Sequence, residues 1–355
     1  CPPTCDHGPK ILWWKSEKPE DYSRAAKFIM PGGYVAGKMA GLKADQAFID
    51  YTYIHFSALS DARKGTWSKE ICGAVGVDID KLPNIVEPWH VVGEVTSNAA
   101  KDFGLAPGTI IAAGCGDTAA GALGAGIVKP GMVFDTAGTA SVLAVCTDKY
   151  APDIKNRALL TMRSVIPGLW HPLAYLAGGG QALTWFRDKF FNVLRGEPQT
   201  DMDLYSQLED LAQKAPLGSS DLYFSPHLTG RICPATPEMR GAWVGFSFAH
   251  TQEHFYRAIL ESVAYEYAYY LNILKELIPN LNLTEARVIG GGAKSGVWNQ
   301  IKADVLGVPF LRLARSEFGT WGAAMIAGKA AGIYEDLAQV AYDHAVAAGE
   351  PINPD

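Results

Sequence analysis

Three apolar runs in this sequence each end in a glycine turn that leads into a helix or a returning strand. The turns are Gly138-Thr139, Gly178-Gly179-Gly180 and Gly290-Gly291-Gly292. Buried strands that alternate with helices predict an α/β fold whose sheet is covered on both faces. Glycine lets a backbone approach a ligand closely, and amides at a helix N-terminus favour negative charge. Strand corners also use glycine for steric reasons, but three such turns together favour a bound nucleotide.

The common phosphate-binding motifs are absent from the chain. No GxxxxGK[ST] sequence occurs, which excludes a P-loop. The run "GALGAG" at residues 121–126 resembles a dinucleotide fingerprint, but its spacing is wrong and it follows an acid rather than a strand. A Rossmann-type dehydrogenase is therefore disfavoured.

One carboxylate stands between glycines where an apolar run gives way to small residues. In "IAAGCGDTAAGALGAG", residues 111–126, Asp117 follows a predicted strand that is fully apolar and opens a predicted helix. It could be the N-cap that satisfies the first helical amides. It could also be a general base at the carboxyl end of a strand, at the mouth of a cleft. The two roles are compatible, so the local sequence leaves both open.

Composition excludes several classes of partner. The 355 residues are 48% hydrophobic and 19% charged, with a net charge of -6. This balance, with scattered basic residues, argues against nucleic-acid binding, and no run is apolar for long enough to span a membrane. Six scattered cysteines are typical of reduced thiols in a cytoplasmic protein. Cys1 and Cys5 suggest a zinc pair, but no second pair follows at zinc-finger spacing, so the sequence predicts no metal ligand from the protein.

Four segments in order resemble one known family. They are "PKILWWKSEKPE…AAKFIMPGGYVAGKMAG", "GCGDTAAGALGAGIVKPGMVFDTAGTAS", "GAWVGFSFAHTQEHFYRAILESVAYE" and "VIGGGAKSGVWNQIKADVLGVPF". Together they resemble the FGGY carbohydrate kinases, with the closest likeness to the xylulose kinase subgroup. The likeness covers essentially the whole chain. It implies an α/β protein with the two-domain actin/hexokinase/Hsp70-like (ribonuclease H-like) fold, and ATP, Mg²⁺ and a sugar in the cleft between the domains.

The resemblance also implies roles for individual residues. Asp117 matches the catalytic base that binds the sugar hydroxyl and accepts its proton. Gly138 and Thr139 match a turn that contacts the ATP phosphates. The remaining matches are to nucleotide-binding positions, and they are Gly180, Thr184, Gly291, Gly292, Ala293 and Gly296. The neighbouring Trp298 is expected in helix packing and Asn299 at the surface.

The sequence departs from the family at its ends. The family begins with a strand and an Asp-x-Gly-Thr turn that holds the Mg-nucleotide phosphates, and this turn is missing here. We therefore expect residues 1–128 to form the later, sugar-side portion of an incomplete first domain and residues 129–355 to form the nucleotide-side second domain. Residues 5–8 fall where the family approaches the sugar. We also expect the helix that follows the last family segment to be shortened and the chain alone to be inactive.

Three functional hypotheses remain open at this stage. The first is ATP-dependent phosphorylation of a ketopentose such as D-xylulose. The second is a kinase for another ketose or polyol, such as ribulose or an erythritol-type substrate. The third is a non-catalytic remnant that binds a sugar or a nucleotide, against which the presence of Asp117 argues. We expect small-molecule partners, no nucleic acid or membrane, and a homodimer as one option for assembly.

Overall fold

Helices and short strands alternate along the part of the chain that the computed structural model describes, residues 6–191 and 201–355. The strands are β1 (Phe48–Asp50), β2 (Ser60–Asp61), β3 (Thr66–Trp67), β4 (Asn84–Val86), β5 (Val91–Glu94), β6 (Ile110–Ala112), β7 (Met132–Ala137), β8 (Ser141–Val145), β9 (Leu160–Arg163), β10 (Trp170–Leu176), β11 (Tyr223–Ser225), β12 (Ala242–Val244), β13 (Glu285–Ile289) and β14 (Phe310–Arg312). The helices are α1 (His7–Glu17), α2 (Pro19–Arg24), α3 (Pro31–Ala40), α4 (Lys69–Val75), α5 (Ser97–Phe103), α6 (Asp117–Gly124), α7 (Gly179–Phe186), α8 (Asp201–Lys214), α9 (Gln252–Leu277), α10 (Gly296–Leu306), α11 (Phe318–Ala330) and α12 (Leu337–Asp343). Cys1 and Cys5 lie outside the described residues.

A six-stranded mixed sheet organises the second half of the chain. Its strand order is β14-β13-β7-β8-β10-β9. Strands β7, β13 and β14 are parallel, and β7, β8, β10 and β9 follow one another antiparallel. The predicted return at Gly138-Thr139 is therefore the hairpin between β7 and β8. Parallel neighbours bring the ends of β7 and β13 to the same edge of the sheet.

Helices cover both faces of this sheet, as the apolar strands predict. Alternate residues of β7 point to opposite sides, so Val133 and Ala137 join one core and Met132 and Phe134 join the other. The first core includes α7, α9 and α10, and the second includes α6, α11 and α12. None of the described helices, including the 26-residue α9, is long and apolar enough to cross a bilayer.

Helix α6 packs backbone to backbone against α11. A side chain at Gly124 would overlap the carbonyl oxygen of Phe318, and one at Gly322 would overlap that of Ala120. Arg287 on β13 holds the end of α6, because its Nη1 donates to the carbonyl oxygen of Ala125 at 2.7 Å. The helix that begins at Asp117 is thus fixed against the sheet.

In residues 6–128 the structure describes only two-stranded sheets. Strand β1 pairs with β4, and β5 pairs with β6. The apolar strand predicted before Asp117 is β6, but it is not covered on both faces, because it pairs only with β5 in the described residues and Ile110 is 38% exposed. Helix α5 is capped at both ends: the Thr96 hydroxyl accepts a hydrogen bond from the Ala99 amide at 3.2 Å, and Gly104 ends the helix with a φ of 66°.

A buried charge pair joins the sheet to α9 and α10. Asp135 on β7 and Lys302 on α10 are both fully buried and form an ion pair. Tyr267 on α9 donates its hydroxyl to Asp135 Oδ1 at 2.7 Å. Burial lowers the pKa of Lys302 and raises that of Tyr267, and the Asp135 carboxylate opposes the first shift and adds to the second. The three groups satisfy one another where water cannot reach.

Removing one partner of this pair should be strongly destabilising. We expect Asp135→Asn to lower the free energy of unfolding by about 3–5 kcal/mol, because it leaves the Lys302 charge buried without an anion. Urea unfolding would measure the loss. Lys155→Met is the matched control: Lys155 pairs with Glu276 at 3.9 Å with its side chain 82% exposed, and its loss should cost less than about 1 kcal/mol. Equal losses in the two variants would contradict this view.

Candidate active site

Asp117 is the first residue of α6, and its side chain is exposed. The N-cap of the helix is Gly116, so the possibility that Asp117 is the N-cap is wrong. The Thr118 amide still donates to Asp117 Oδ1 at 2.6 Å, so a helical amide orients the carboxylate without enclosing it. A carboxylate placed this way also gains from the positive end of the helix dipole. It is free to meet a ligand.

The turn before Asp117 fits against an aromatic stack. A Cβ at Gly116 would lie 2.5 Å from Cδ2 of Tyr53, which explains the glycine. The Tyr53 ring stacks on His7, with ring centroids 5.7 Å apart and an angle of 16° between the planes. The stack brings His7, in the segment expected near the sugar, close to the acid turn. The sequence reasoning did not identify Tyr53.

A second carboxylate, Asp50, lies beside Asp117 and was also missed. It ends strand β1, and its Oδ1 accepts hydrogen bonds from the Thr52 hydroxyl and, at 2.9 Å, from the Thr52 amide. The Thr52 hydroxyl in turn accepts the Gly116 amide at 3.1 Å. A usable signal was present, because Asp50 follows the apolar run "FI" just as Asp117 follows its own apolar run.

Burial shifts the pKa of several groups around this turn. It raises the pKa of Asp50 to about 6, against the hydrogen bonds from Thr52 that lower it. It also raises the pKa of Tyr53, with smaller contributions from the Asp117 and Asp50 charges. The pKa of the Cys115 thiol is raised by burial and by the same two carboxylates, so this thiol stays protonated. The pKa of His7 is lowered, first by burial.

The two carboxylates line one cleft of about 370 Å³. The start of α3 also lines this cleft. Its lining residues are Met30, Pro31, Gly32, Gly33, Phe48, Ile49, Asp50, Tyr53, Ala113, Cys115, Gly116 and Asp117. Among these described residues there is no Lys, Arg or His. The cleft therefore offers hydrogen-bond acceptors and backbone amides, with no side chain that would pair with an anion.

The three predicted glycine turns converge at one edge of the sheet. A side chain at Gly180 would overlap the carbonyl oxygen of Gly138, and one at Gly292 would overlap Ala137 and Trp298. The Gln181 amide donates to the Thr139 carbonyl at 2.9 Å. These glycines are thus required for close backbone packing. The same packing gathers the turns into one backbone surface.

The predicted nucleotide residues differ in exposure. Thr139, Gly291 and Gly296 are exposed, and Gly138, Gly180, Thr184 and Gly292 are half-buried. Ala293 is buried in the core, so only its backbone can face a ligand. The Thr184 hydroxyl lies 3.0 Å from the Tyr205 hydroxyl, a neighbour that the sequence did not reveal.

Two polar residues shape the third turn. Asn299 is buried, and its Nδ2 donates to the Ala293 carbonyl at 3.0 Å, so its predicted surface position is wrong. Trp298 is buried, which confirms its predicted packing role. Glu209 on α8 accepts from the Val297 amide at 3.0 Å and from the Ser295 hydroxyl at 3.0 Å. Because this carboxylate occupies the start of α10, that helix end is not available to a phosphate.

Helix α6 connects the acid to the glycine turns. A Cβ at Gly121, one helical turn after Asp117, would lie 3.3 Å from Phe134 and 4.0 Å from Ile289. Ile289 directly precedes the third glycine turn. Across the described residues, no group of three or more His, Cys, Asp or Glu side chains could hold a metal ion.

Comparison with known proteins identifies the family of this arrangement. The model of the N-terminal domain of the FGGY family of carbohydrate kinases matches residues 4–124, and the model of its C-terminal domain matches residues 134–331. A xylulose kinase from Bacillus subtilis is 28% identical over 334 residues, which cover 94% of this chain and 64% of that protein. A gluconokinase from the same species is 28% identical over 302 residues, 83% of this chain and 57% of that protein.

A solved structure agrees in fold. The structure of a ligand-bound xylulose kinase from Lactobacillus acidophilus has a TM-score of 0.87 and 24% identity, and it covers 99% of this chain and 68% of that one. The two-domain actin/hexokinase-like fold expected from the sequence is confirmed. The chain spans less than two thirds of the length of the curated relatives named above.

The convergence of the turns predicts unequal effects for two Gly→Ala variants. Gly180→Ala should lower the free energy of unfolding by about 1–3 kcal/mol, because its methyl group must displace the Gly138 carbonyl. Gly291→Ala is the control, since a Cβ there meets nothing within 4 Å. Gly180 lies in α7, and alanine normally stabilises a helix relative to glycine. If Gly180→Ala is destabilised and Gly291→Ala is not, the overlap with the Gly138 carbonyl is the cause. Thermal and urea unfolding would compare the two.

The raised pKa of Asp50 predicts a pH-dependent stability. Between about pH 4 and pH 6 the folded chain retains a proton that the unfolded chain has lost, so this contribution to stability falls as pH rises. The free energy of unfolding of the wild type, minus that of Asp50→Asn, should decrease by up to about 3 kcal/mol from pH 4 to pH 7. Urea unfolding at several pH values gives this difference, in which other titrating groups cancel. If this difference stays constant or rises between pH 4 and pH 7, the pKa of Asp50 is not raised in the folded protein.

Proposed function

This chain belongs to the FGGY family of carbohydrate kinases, and we propose that it carries the catalytic base and the nucleotide side of an ATP-dependent sugar kinase. The observation that supports this most is the placement of Asp117. Asp117 is an exposed carboxylate that a helix amide orients and that lines a cleft. It lies one helical turn before Gly121, which packs near Ile289, the residue before the third glycine turn. A carboxylate that can reach the acceptor hydroxyl is one of the groups that phosphoryl transfer to an alcohol needs.

Asp117 would act as the general base. It would accept the proton of a sugar hydroxyl while that oxygen forms its bond to the γ-phosphorus of ATP, and the bond between the γ-phosphorus and the bridging oxygen breaks to release ADP. An exposed carboxylate within reach of the hydroxyl is sufficient for this role. The Thr118 amide would hold the carboxylate in place through its hydrogen bond to Oδ1.

The glycine turns would hold the nucleotide. Gly138 and Thr139 would present backbone amides and a hydroxyl to the phosphates, and Gly180, Thr184, Gly291, Gly292, the Ala293 backbone and Gly296 would contact the rest of the nucleotide. Mg²⁺, held by phosphate oxygens and water, would supply neutralisation of the charge on the transferred phosphoryl group.

The cleft favours a neutral sugar as the acceptor. Its described lining holds two carboxylates and no cationic side chain. An aldonate such as gluconate carries its own negative charge, which these carboxylates would repel. We therefore propose a ketopentose, D-xylulose in the first place, with ribulose or a polyol as alternatives and with the gluconokinase relative as the reason to test gluconate.

The remaining expectations stay predictions. These are the domain boundary at residue 128, the cytoplasmic location, the homodimer, and the inactivity of the 355-residue chain on its own. For this reason activity is best assayed both on this chain and on the longest product that its gene encodes. A non-catalytic binding protein is the competing hypothesis.

Replacing the base distinguishes a kinase from a binding protein. Asp117→Asn should lower kcat for sugar-dependent ADP formation by roughly 10²–10⁴-fold, while binding of sugar and ATP changes little. Asp102→Asn, at an exposed position on α5, is the control and should behave like the wild type. The assay would compare D-xylulose, D-ribulose, a polyol and D-gluconate. Full transfer activity in Asp117→Asn would reject the base, and activity with gluconate alone would reject the neutral substrate.

A further inference from the structure

We propose that Asp50 and Thr52 are positioning residues that set the direction of the catalytic carboxylate through the backbone of Gly116. The inference rests on the proposed function of Asp117. Neither residue needs to touch the reacting atoms. Their role follows from a chain of hydrogen bonds between the end of β1 and the start of α6.

Each hydrogen bond in the series from Gly116 through Thr52 to Asp50 can have only one direction. The Gly116 amide can only donate, so the Thr52 oxygen must accept it at 3.1 Å. The single hydroxyl hydrogen of Thr52 then points to Asp50 Oδ1, which also accepts the Thr52 amide at 2.9 Å. Asp50 therefore fixes the Thr52 rotamer, and Thr52 fixes the peptide before Gly116.

Gly116 is held from both sides. Its amide is bound to Thr52, and its carbonyl oxygen accepts the Ala120 amide at 2.9 Å, the first hydrogen bond of α6. As the N-cap, this residue determines how the chain enters the helix, and Asp117 is the next residue. A change in the Gly116 amide plane would therefore swing the Asp117 carboxylate.

The turn that carries Asp50 and Thr52 is itself anchored. Thr52 is fully buried and Asp50 is 8% exposed. Between them Tyr51 extends to the second half of the chain, where its hydroxyl donates to the Val165 carbonyl at 2.5 Å and its ring lies 5.4 Å from the Arg163 guanidinium. The contacts of Tyr51 thus fix the position of this turn, and with it the Gly116 amide, relative to the second half of the chain.

Substitutions at Thr52 separate positioning from folding. Thr52→Val keeps the shape and removes the acceptor, and we expect kcat to fall by roughly 10- to 100-fold with little change in the KM for ATP. Thr52→Ser keeps the hydroxyl and should recover most of kcat. Ser57→Ala is the matched control, because the Ser57 hydroxyl is equally buried and bonds Ile54 and Leu59 but touches no part of the acid turn. It should leave kcat unchanged.

A second measurement needs no turnover and works on the 355-residue chain. Amide hydrogen exchange, read by NMR, should become about tenfold faster at Gly116 in Thr52→Val than in the wild type or in Thr52→Ser. The Ala125 amide, at the other end of α6, should not change. Unchanged exchange at Gly116 would overturn the hydrogen-bond chain, and a Thr52→Val enzyme with wild-type kcat would overturn its role in positioning.

The two proposals fail in different ways. If Asp117→Asn retains transfer activity, or if no sugar is phosphorylated by the longest product of the gene, the proposed function fails whatever happens at Thr52. If Asp117→Asn is inactive while Thr52→Val and Thr52→Ser are both as active as the wild type, only the positioning role fails. Equal losses in Thr52→Val and Thr52→Ser would also count against it, because the hydroxyl would then be irrelevant.

Discussion

The packing of α6 against α11 is the constraint on which the candidate site depends. Gly124 and Gly322 let the two helices meet backbone to backbone, and side chains at either position would overlap the neighbouring carbonyl. Since the same helix begins at Asp117 and lies on the face of the six-stranded sheet, the acid cannot move independently of the glycine turns at the sheet edge. The close contact between α6 and α11 thus fixes the start of α6 relative to the glycine turns.

Two polar networks support this frame in different ways. Asp135, Lys302 and Tyr267 join three elements inside the core, and their charges are sheltered from water on all sides. Asp50 and Thr52 instead lie at the border of the cleft, where a buried acid with a pKa near 6 supports the turn of an exposed acid. The first network keeps the sheet and helices together. The second orients a single turn.

Much of the candidate site could be proposed from local sequence, because glycine turns and an acid between glycines are recognisable patterns. The β7–β8 hairpin and the convergence of the turns agree with that reading. Asp50 and Thr52 were not predicted from the sequence, because they lie 64 or more residues from Gly116. Only the pairing of distant segments reveals their connection to it. Asn299 was misplaced for a different reason: it bonds the Ala293 carbonyl only six residues away, a polar contact that no pattern of hydrophobic residues encodes.

The sequence by itself determined the alternation of strands and helices, the glycine turns, the candidate base and the likeness to a kinase family. It could do so because these features depend on neighbours within a few residues and on recurring motifs. Only the tertiary structure decided that Gly116 rather than Asp117 caps α6, that β6 lies in a small exposed sheet, and that two carboxylates share one cleft whose described lining has no Lys, Arg or His. Those outcomes depend on contacts between segments far apart in the chain, where backbone packing and burial outweigh local preference.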